Sequence, residues 1–173
     1  QFKELKSAST QLIANDALEY FLLINDNTVA DSTQTALKQF AKGDYLLYQN
    51  RNQEAITQFQ SILKSFKGQD SRAMPEQAKQ IESVTLLRLG RVYEKLGDYT
   101  QALVQYQDII EHHSEGIYVD EALYFSAEIY KNNLQQPDKA KALYEKIIFS
   151  HQDSIYFVNA RRTFRELRGD TNL

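Results

Sequence analysis

The sequence predicts an all-α fold, a solenoid of stacked helix pairs, and three observations carry that prediction. Apolar residues recur at spacings of three and four through most of the 173 residues, as amphipathic helices require. The stretch from Tyr106 to Ala122 returns thirty-eight residues later, from Tyr144 to Ala160. Seven positions agree: Tyr106/Tyr144, Ile109/Ile147, Ile110/Ile148, His113/His151, Ile117/Ile155, Tyr118/Tyr156 and Ala122/Ala160. A repeat of this length marks a two-helix unit that buries its apolar face against the next unit. Finally, no segment alternates apolar and polar residues with period two, so no sheet is expected.

The elements follow in order. Residues 1–30 read as a partial repeat, in which Asn15–Asn27, with Ala17, Phe21 and Ile24, is a second helix lacking most of its first partner. Residues 31–67 form a repeat with helices near 31–49 and 52–66, followed by a surface loop over 67–74. The repeat 75–115 is the clearest. Pro75 suits a first helical turn, and Gly97 stops the helix. Asp98 then caps a second helix over about 99–113. The repeat 116–152 has helices near 118–132 and 138–150, and a capping helix lies within 153–170, near 154–168.

Bulk properties bound the function. A chain of this size buries roughly 70% of its unfolded surface and needs no metal or disulfide to fold. Cysteine is absent, which removes disulfides and thiolate metal sites. The net charge of −3 argues against nucleic-acid and membrane-surface binding, which draw on a basic excess. No apolar run approaches the roughly 20 residues of a membrane span. The start at Gln1 is read as that of a fragment or processed form, and the unpartnered apolar face of Ala17, Phe21 and Ile24 as a sign of a longer array.

The stretch LGRVYEKLGDYTQALVQYQDII resembles a tetratricopeptide repeat. Leu89-Gly90, Tyr93, Gly97, Ala102 and Tyr106 fall in that family's order and spacing. Gly90 and Ala102 let the helices of a pair approach, and Tyr93 and Tyr106 fill the space between units. An earlier copy keeps Gly43, Ala55 and Phe59, with Asn50 at the turn. A later copy has Ala127, Tyr130, Ala140 and Tyr144, with one extra residue near Pro137. The resemblance implies a right-handed superhelix of antiparallel pairs and a non-catalytic protein-binding scaffold. The corners HSEGIYVDEA and HQDSIYFVNA are similar to those of bacterial cell-envelope members, which implies an envelope or periplasmic location.

Candidate chemistry is sparse. His112 and His113 in EHHSE are the candidates for a metal-dependent enzyme, but a metal needs three or four converging ligands. His113 and His151 are better read as helix-end residues that complement the dipole. Paired carboxylates such as Glu121/Glu128 and Asp98/Glu94 read as solvated helix surface. There is no G-x-S-x-G motif and no glycine-rich phosphate loop. Neither a cofactor nor catalysis is expected.

By the same resemblance, first helices line a concave groove. The residues placed there are Asp44, Tyr48, Arg88, Arg91, Lys95, Tyr124, Glu128 and Lys131. They make a basic middle flanked by tyrosines and acids, suited to an extended peptide or a partner helix. The subgroup that grips a C-terminal carboxylate uses lysine, asparagine and arginine. Here the matching positions include Phe40, Asp44, Val84 and Arg88, so that mode is not expected. A second stripe, Arg161, Arg162, Arg165 and Arg168, reads as a polar cap or as a site for an acidic peptide or phosphate. The partner is expected to be a protein or peptide, with self-association through terminal helices as the alternative.

Overall fold

The computed structural model describes residues 31–69 and 73–170, with side chains from Thr35 onward in the first segment. The expected helix at Asn15–Asn27 lies outside the described residues, as does the middle of the 67–74 loop. Seven helices are described: α1 Asp31–Tyr48, α2 Asn52–Phe66, α3 Glu76–Lys95, α4 Tyr99–His112, α5 Val119–Asn132, α6 Pro137–Ser150 and α7 Phe157–Arg168. There is no strand among the described residues. Six of the seven helices begin and end within one residue of the sequence reading. The seventh, α7, starts three residues later than expected, because the corner takes up Ser154–Tyr156. Pro75 sits just before α3, where its carbonyl accepts from the amides of Ala78 and Lys79. The chain divides into two compact units, with the division at Glu82/Ser83 inside α3.

In the first unit α1 and α2 pack together. Their turn closes through Asn50, whose φ of 58° takes the left-handed conformation a glycine would otherwise supply. Arg51 N then donates to Leu46 O at 2.9 Å. Phe59 of α2 lies against Gly43 of α1, so closely that a Cβ at Gly43 would stand 2.5 Å from the ring. In the 67–74 loop, Lys67–Gln69 and Ala73 are exposed as expected, but Met74 is buried.

The second unit repeats this construction. Gly97, at φ 78°, ends α3, and Asp98 N donates to Tyr93 O. The Asp98 side chain accepts from Gln101 N at 3.1 Å and so caps α4. The later turn is longer. Gln135 takes the left-handed conformation at φ 54°, and Pro137 opens α6 in its first turn.

All three second helices bury one stripe at i, i+4 and i+7: Ala55, Phe59 and Ile62; Ala102, Tyr106 and Ile109; Ala140, Tyr144 and Ile147. All nine are fully buried, and each isoleucine or ring contributes roughly 1.5–3 kcal/mol by leaving water. Tyr106 thereby differs from its expected place. Its ring first fills the gap over Gly90 of its own pair, and meets the ring of Phe125 on the next pair.

The repeated corner is also repeated in its hydrogen bonds. His113 ends α4 with its amide on Ile109 O, and His151 ends α6 with its amide on Ile147 O. Gly116 N donates to His113 O, and Ser154 N to His151 O. Val119 N then donates to Gly116 O, and Phe157 N to Ser154 O. Tyr118 and Ala122 are buried at the seam, but Ile117 and Ile155 are 69% and 84% exposed. One of the seven identities, Ile117/Ile155, therefore has no packing reason.

Gly90→Ala tests the close approach. In an exposed helix the change would stabilise by about 1 kcal/mol. Here the new Cβ would stand 2.9 Å from both Cδ1 and Cζ of a ring that cannot retreat. Overpacking of this kind costs roughly 1–3 kcal/mol, so the midpoint of urea unfolding is expected to fall. A rise would show that α3 and α4 are not held at this distance.

Candidate functional site

The side chains that gather in the second unit come from α3, α5 and the corner before α7. Arg91 follows Gly90, so the socket that seats Tyr106 also places Arg91 at the pair's edge. Its guanidinium lies over the ring of Phe125, 3.9 Å from the centroid. A contact of this kind is worth roughly 0.5–2 kcal/mol, depending on its exposure. Phe125 meets Tyr156 edge-on at 5.9 Å. Tyr156 stacks on Tyr124, with centroids 4.4 Å apart and planes 19° apart. Tyr124 in turn meets Tyr144 at 6.1 Å. Phe125, Tyr124 and Tyr156 are half-buried, so this strip of rings presents edges and faces to solvent.

Carboxylates frame the strip, and several have identified partners. Glu94 accepts from Arg91 at 2.8 Å and from the Tyr106 hydroxyl at 3.0 Å. Glu128 accepts from the Tyr144 hydroxyl, from Lys131 at 3.3 Å and from Asn132 at 2.8 Å. Asp120 accepts from the Ser154 hydroxyl at 2.5 Å, which ties α5 to the corner. Counted from Gly90 and Ala127, Arg91 matches Glu128 and Glu94 matches Lys131. The same i,i+3 ion pair thus recurs with its charges exchanged.

These surroundings shift the tyrosines. Burial pushes Tyr106 and Tyr144 well above the ordinary value of 10, and the adjacent Glu94 and Glu128 add to this. Burial also raises Tyr156, with Glu121 and Asp120 next in effect and Arg91 opposing. Tyr124 is raised by burial and then by Glu128, while Arg162 pulls it down.

Of the expected groove residues, the strip brings together Arg91, Tyr124, Glu128 and Lys131. Arg88 is half-buried on α3, and Lys95 is exposed in its last turn. Asp44 and Tyr48 lie on α1 in the first unit, half-buried and exposed respectively. The expected basic middle is corrected at Arg91, whose charge is engaged by Glu94 and the Phe125 ring. Sequence reasoning missed Phe125, Tyr156 and Asp120, and it read Glu94 as solvated surface, whereas Glu94 accepts from Arg91 and the Tyr106 hydroxyl. The match of Tyr156 to Tyr118 was the available signal, but it pointed to the seam.

The basic stripe of α7 divides. Arg161 and Arg162 are exposed, with Arg162 on Asn159 at 3.3 Å. Arg165 and Arg168 both turn onto Asp170, whose backbone amide bonds Arg165 O beyond the left-handed Gly169. Arg165 occupies the position at which α5 has Ala127, when Ala160 is matched to Ala122. The helix therefore offers a second helix no small-residue socket.

His112 is exposed and bonded to Asp108 at 2.6 Å, while His113 is buried at the end of α4. Among the described residues, no three His, Asp or Glu side chains converge as a metal site. No helix among them is long and apolar enough to cross a membrane.

The family model described as Tetratricopeptide repeat matches residues 85–115 and 121–154. The first segment runs from the middle of α3 through α4, and the second from the first turn of α5 through α6. Repeats of this family generally mediate protein–protein interaction and typically serve as non-catalytic scaffolds. A search of curated proteins finds no match to the chain.

The raised tyrosines set a pH dependence. A tyrosine whose folded value lies above its unfolded value stabilises the fold fully below pH about 10 and loses that effect as pH rises further. Each such tyrosine steepens the loss by up to about 1.4 kcal/mol per pH unit. Stability is expected to fall steeply above pH about 10, and Tyr106→Phe and Tyr144→Phe are each expected to flatten the fall. Urea unfolding between pH 8 and 12 checks this, and an unchanged slope in both variants would contradict the assignment.

Proposed function

We propose that the chain is a non-catalytic interaction module that holds a protein or peptide on the first-helix face of its second unit. The observation that carries this reading is the half-exposed strip Arg91–Phe125–Tyr156–Tyr124. Arginine and aromatic side chains are enriched at binding hot spots; the rings bury large area at little entropic cost, and the guanidinium here is already held by stacking on Phe125. A core would have no use for a guanidinium stacked on a half-exposed ring. The strip suits an extended segment that lays apolar or proline side chains on the rings. Arg88 and Lys95 lie along the same face of α3, and Lys131 on α5 is held by Glu128. The corner's similarity to envelope proteins supports an envelope location, and cell fractionation checks that.

A photo-crosslinking residue in place of Lys95, exposed in the last turn of α3, is expected to capture the partner. Tyr124→Ala and Arg91→Glu are each expected to reduce capture about ten-fold or more without lowering the unfolding midpoint by a comparable amount. If both bind normally while Arg161→Glu with Arg162→Glu abolishes capture, the site is the exposed part of the α7 stripe instead.

A further inference from the structure

A second surface of the same unit lies outside the first-helix strip. Between α4 and α6, over the side of α5, runs an open groove of about 830 Å³. Its walls are continuous helical stripes, one from Thr100 to Glu111 and one from Lys139 to Lys146, spaced by three and four. These are not the buried stripes of those helices. α4 already buries Ala102, Tyr106 and Ile109, and α6 already buries Ala140, Tyr144 and Ile147. Yet each helix also lines the groove with apolar side chains: half-buried Leu103 and exposed Val104 on α4, and exposed Ala142 and half-buried Leu143 on α6. Val104 is 54% exposed, and Leu134 closes one end. An outward helix face is ordinarily polar, so apolar side chains on both walls of one groove offer a partner an apolar floor.

The charges of the two walls specify the cover. The α4 wall carries acids, Asp108 and Glu111. Asp108 also meets the His112 ring, and Glu111 accepts from Gln107 at 2.6 Å. The α6 wall carries Lys139 and Lys146, with the Lys139 ammonium 5.1 Å from the centre of the Tyr130 ring. A ligand with a single sign of charge would meet repulsion on one side.

We infer that this groove docks an amphipathic helix of a partner protein, whose apolar stripe covers Val104 and Leu143 while a basic edge faces α4 and an acidic edge faces α6. A helix supplies an apolar stripe at i, i+3, i+4 and i+7, with polar edges on both sides, in one rigid element. The site is separate from the first-helix strip and does not depend on it.

The test is binding of labelled helical peptides to the full chain. One peptide carries a leucine stripe with lysine along one edge and glutamate along the other. Two controls keep the stripe but carry lysine, or glutamate, on both edges. A helix can enter the groove in either direction, so the mixed-edge peptide can always set its lysines against α4. It is expected to bind about ten-fold more tightly than either control, or better. Val104→Asp, at an exposed position, is expected to weaken it by about ten-fold. Asp108→Lys with Glu111→Lys makes both walls basic and is expected to transfer preference to the glutamate-edged peptide. Tyr124→Ala is expected to leave all three affinities unchanged, which separates this site from the strip. Equal affinity for the three peptides, or binding indifferent to Val104→Asp, overturns the proposal. So does a concentration-dependent dimer in sedimentation that Val104→Asp abolishes while no peptide binds, because the cover is then a second copy.

Discussion

Each helix pair depends on an aromatic ring of the second helix lying where the first helix has almost no side chain. Phe59 lies against Gly43 and Tyr106 against Gly90, with no room for a Cβ, and Tyr144 shares a buried cluster with Ala127. The ring sets the distance between the helices, and the distance makes the flanking stripe fully buried. Four residues before each ring is an alanine and three after it an isoleucine, so one helical face does all of this. A helix pair cannot bury both of its faces alone, which is why the unit recurs.

The same sockets also position the polar edge. Arg91 follows the Gly90 socket, and Glu128 follows Ala127. A charge of either sign is accepted there, provided that its i,i+3 partner has the opposite sign. In both pairs the glutamate also accepts from the tyrosine hydroxyl that the socket buries. A buried phenol needs a partner, and the carboxylate supplies it while holding a cation at the surface. Packing and surface charge are thus coupled through one side chain per pair. At α7 the socket position is taken by Arg165, which with Arg168 turns onto Asp170, and the coupling ends.

The helices were legible because local rules specify them. Glycine or asparagine in a turn, Asp98 at a cap and Pro137 in a first turn act within a few residues of chain. The small residues and rings were legible because they recur at fixed spacing. The candidate strip was legible only in half. Arg91, Tyr124, Glu128 and Lys131 follow from the helical face they share. Phe125 and Tyr156 do not, because their roles arise from neighbours more than thirty residues away in the chain. Arg91 meets Phe125 across two first helices, and Tyr156 reaches back from a corner to Tyr124. Repeat matching also treated all seven identities alike, although Ile117 and Ile155 are exposed.

The sequence by itself determined the all-α class, both ends of six helices, the repeating corner and the buried stripe of each second helix. These depend on periodicity, capping and backbone conformation, which act along the chain. Only the tertiary structure decided which charges meet and which outward apolar residues share a groove. It tied Arg91 to Glu94 and Phe125, and folded Arg165 and Arg168 onto Asp170. It also set Leu103 and Val104 opposite Ala142 and Leu143. Such pairings depend on distance and direction between helices, which a pattern along one helix does not contain.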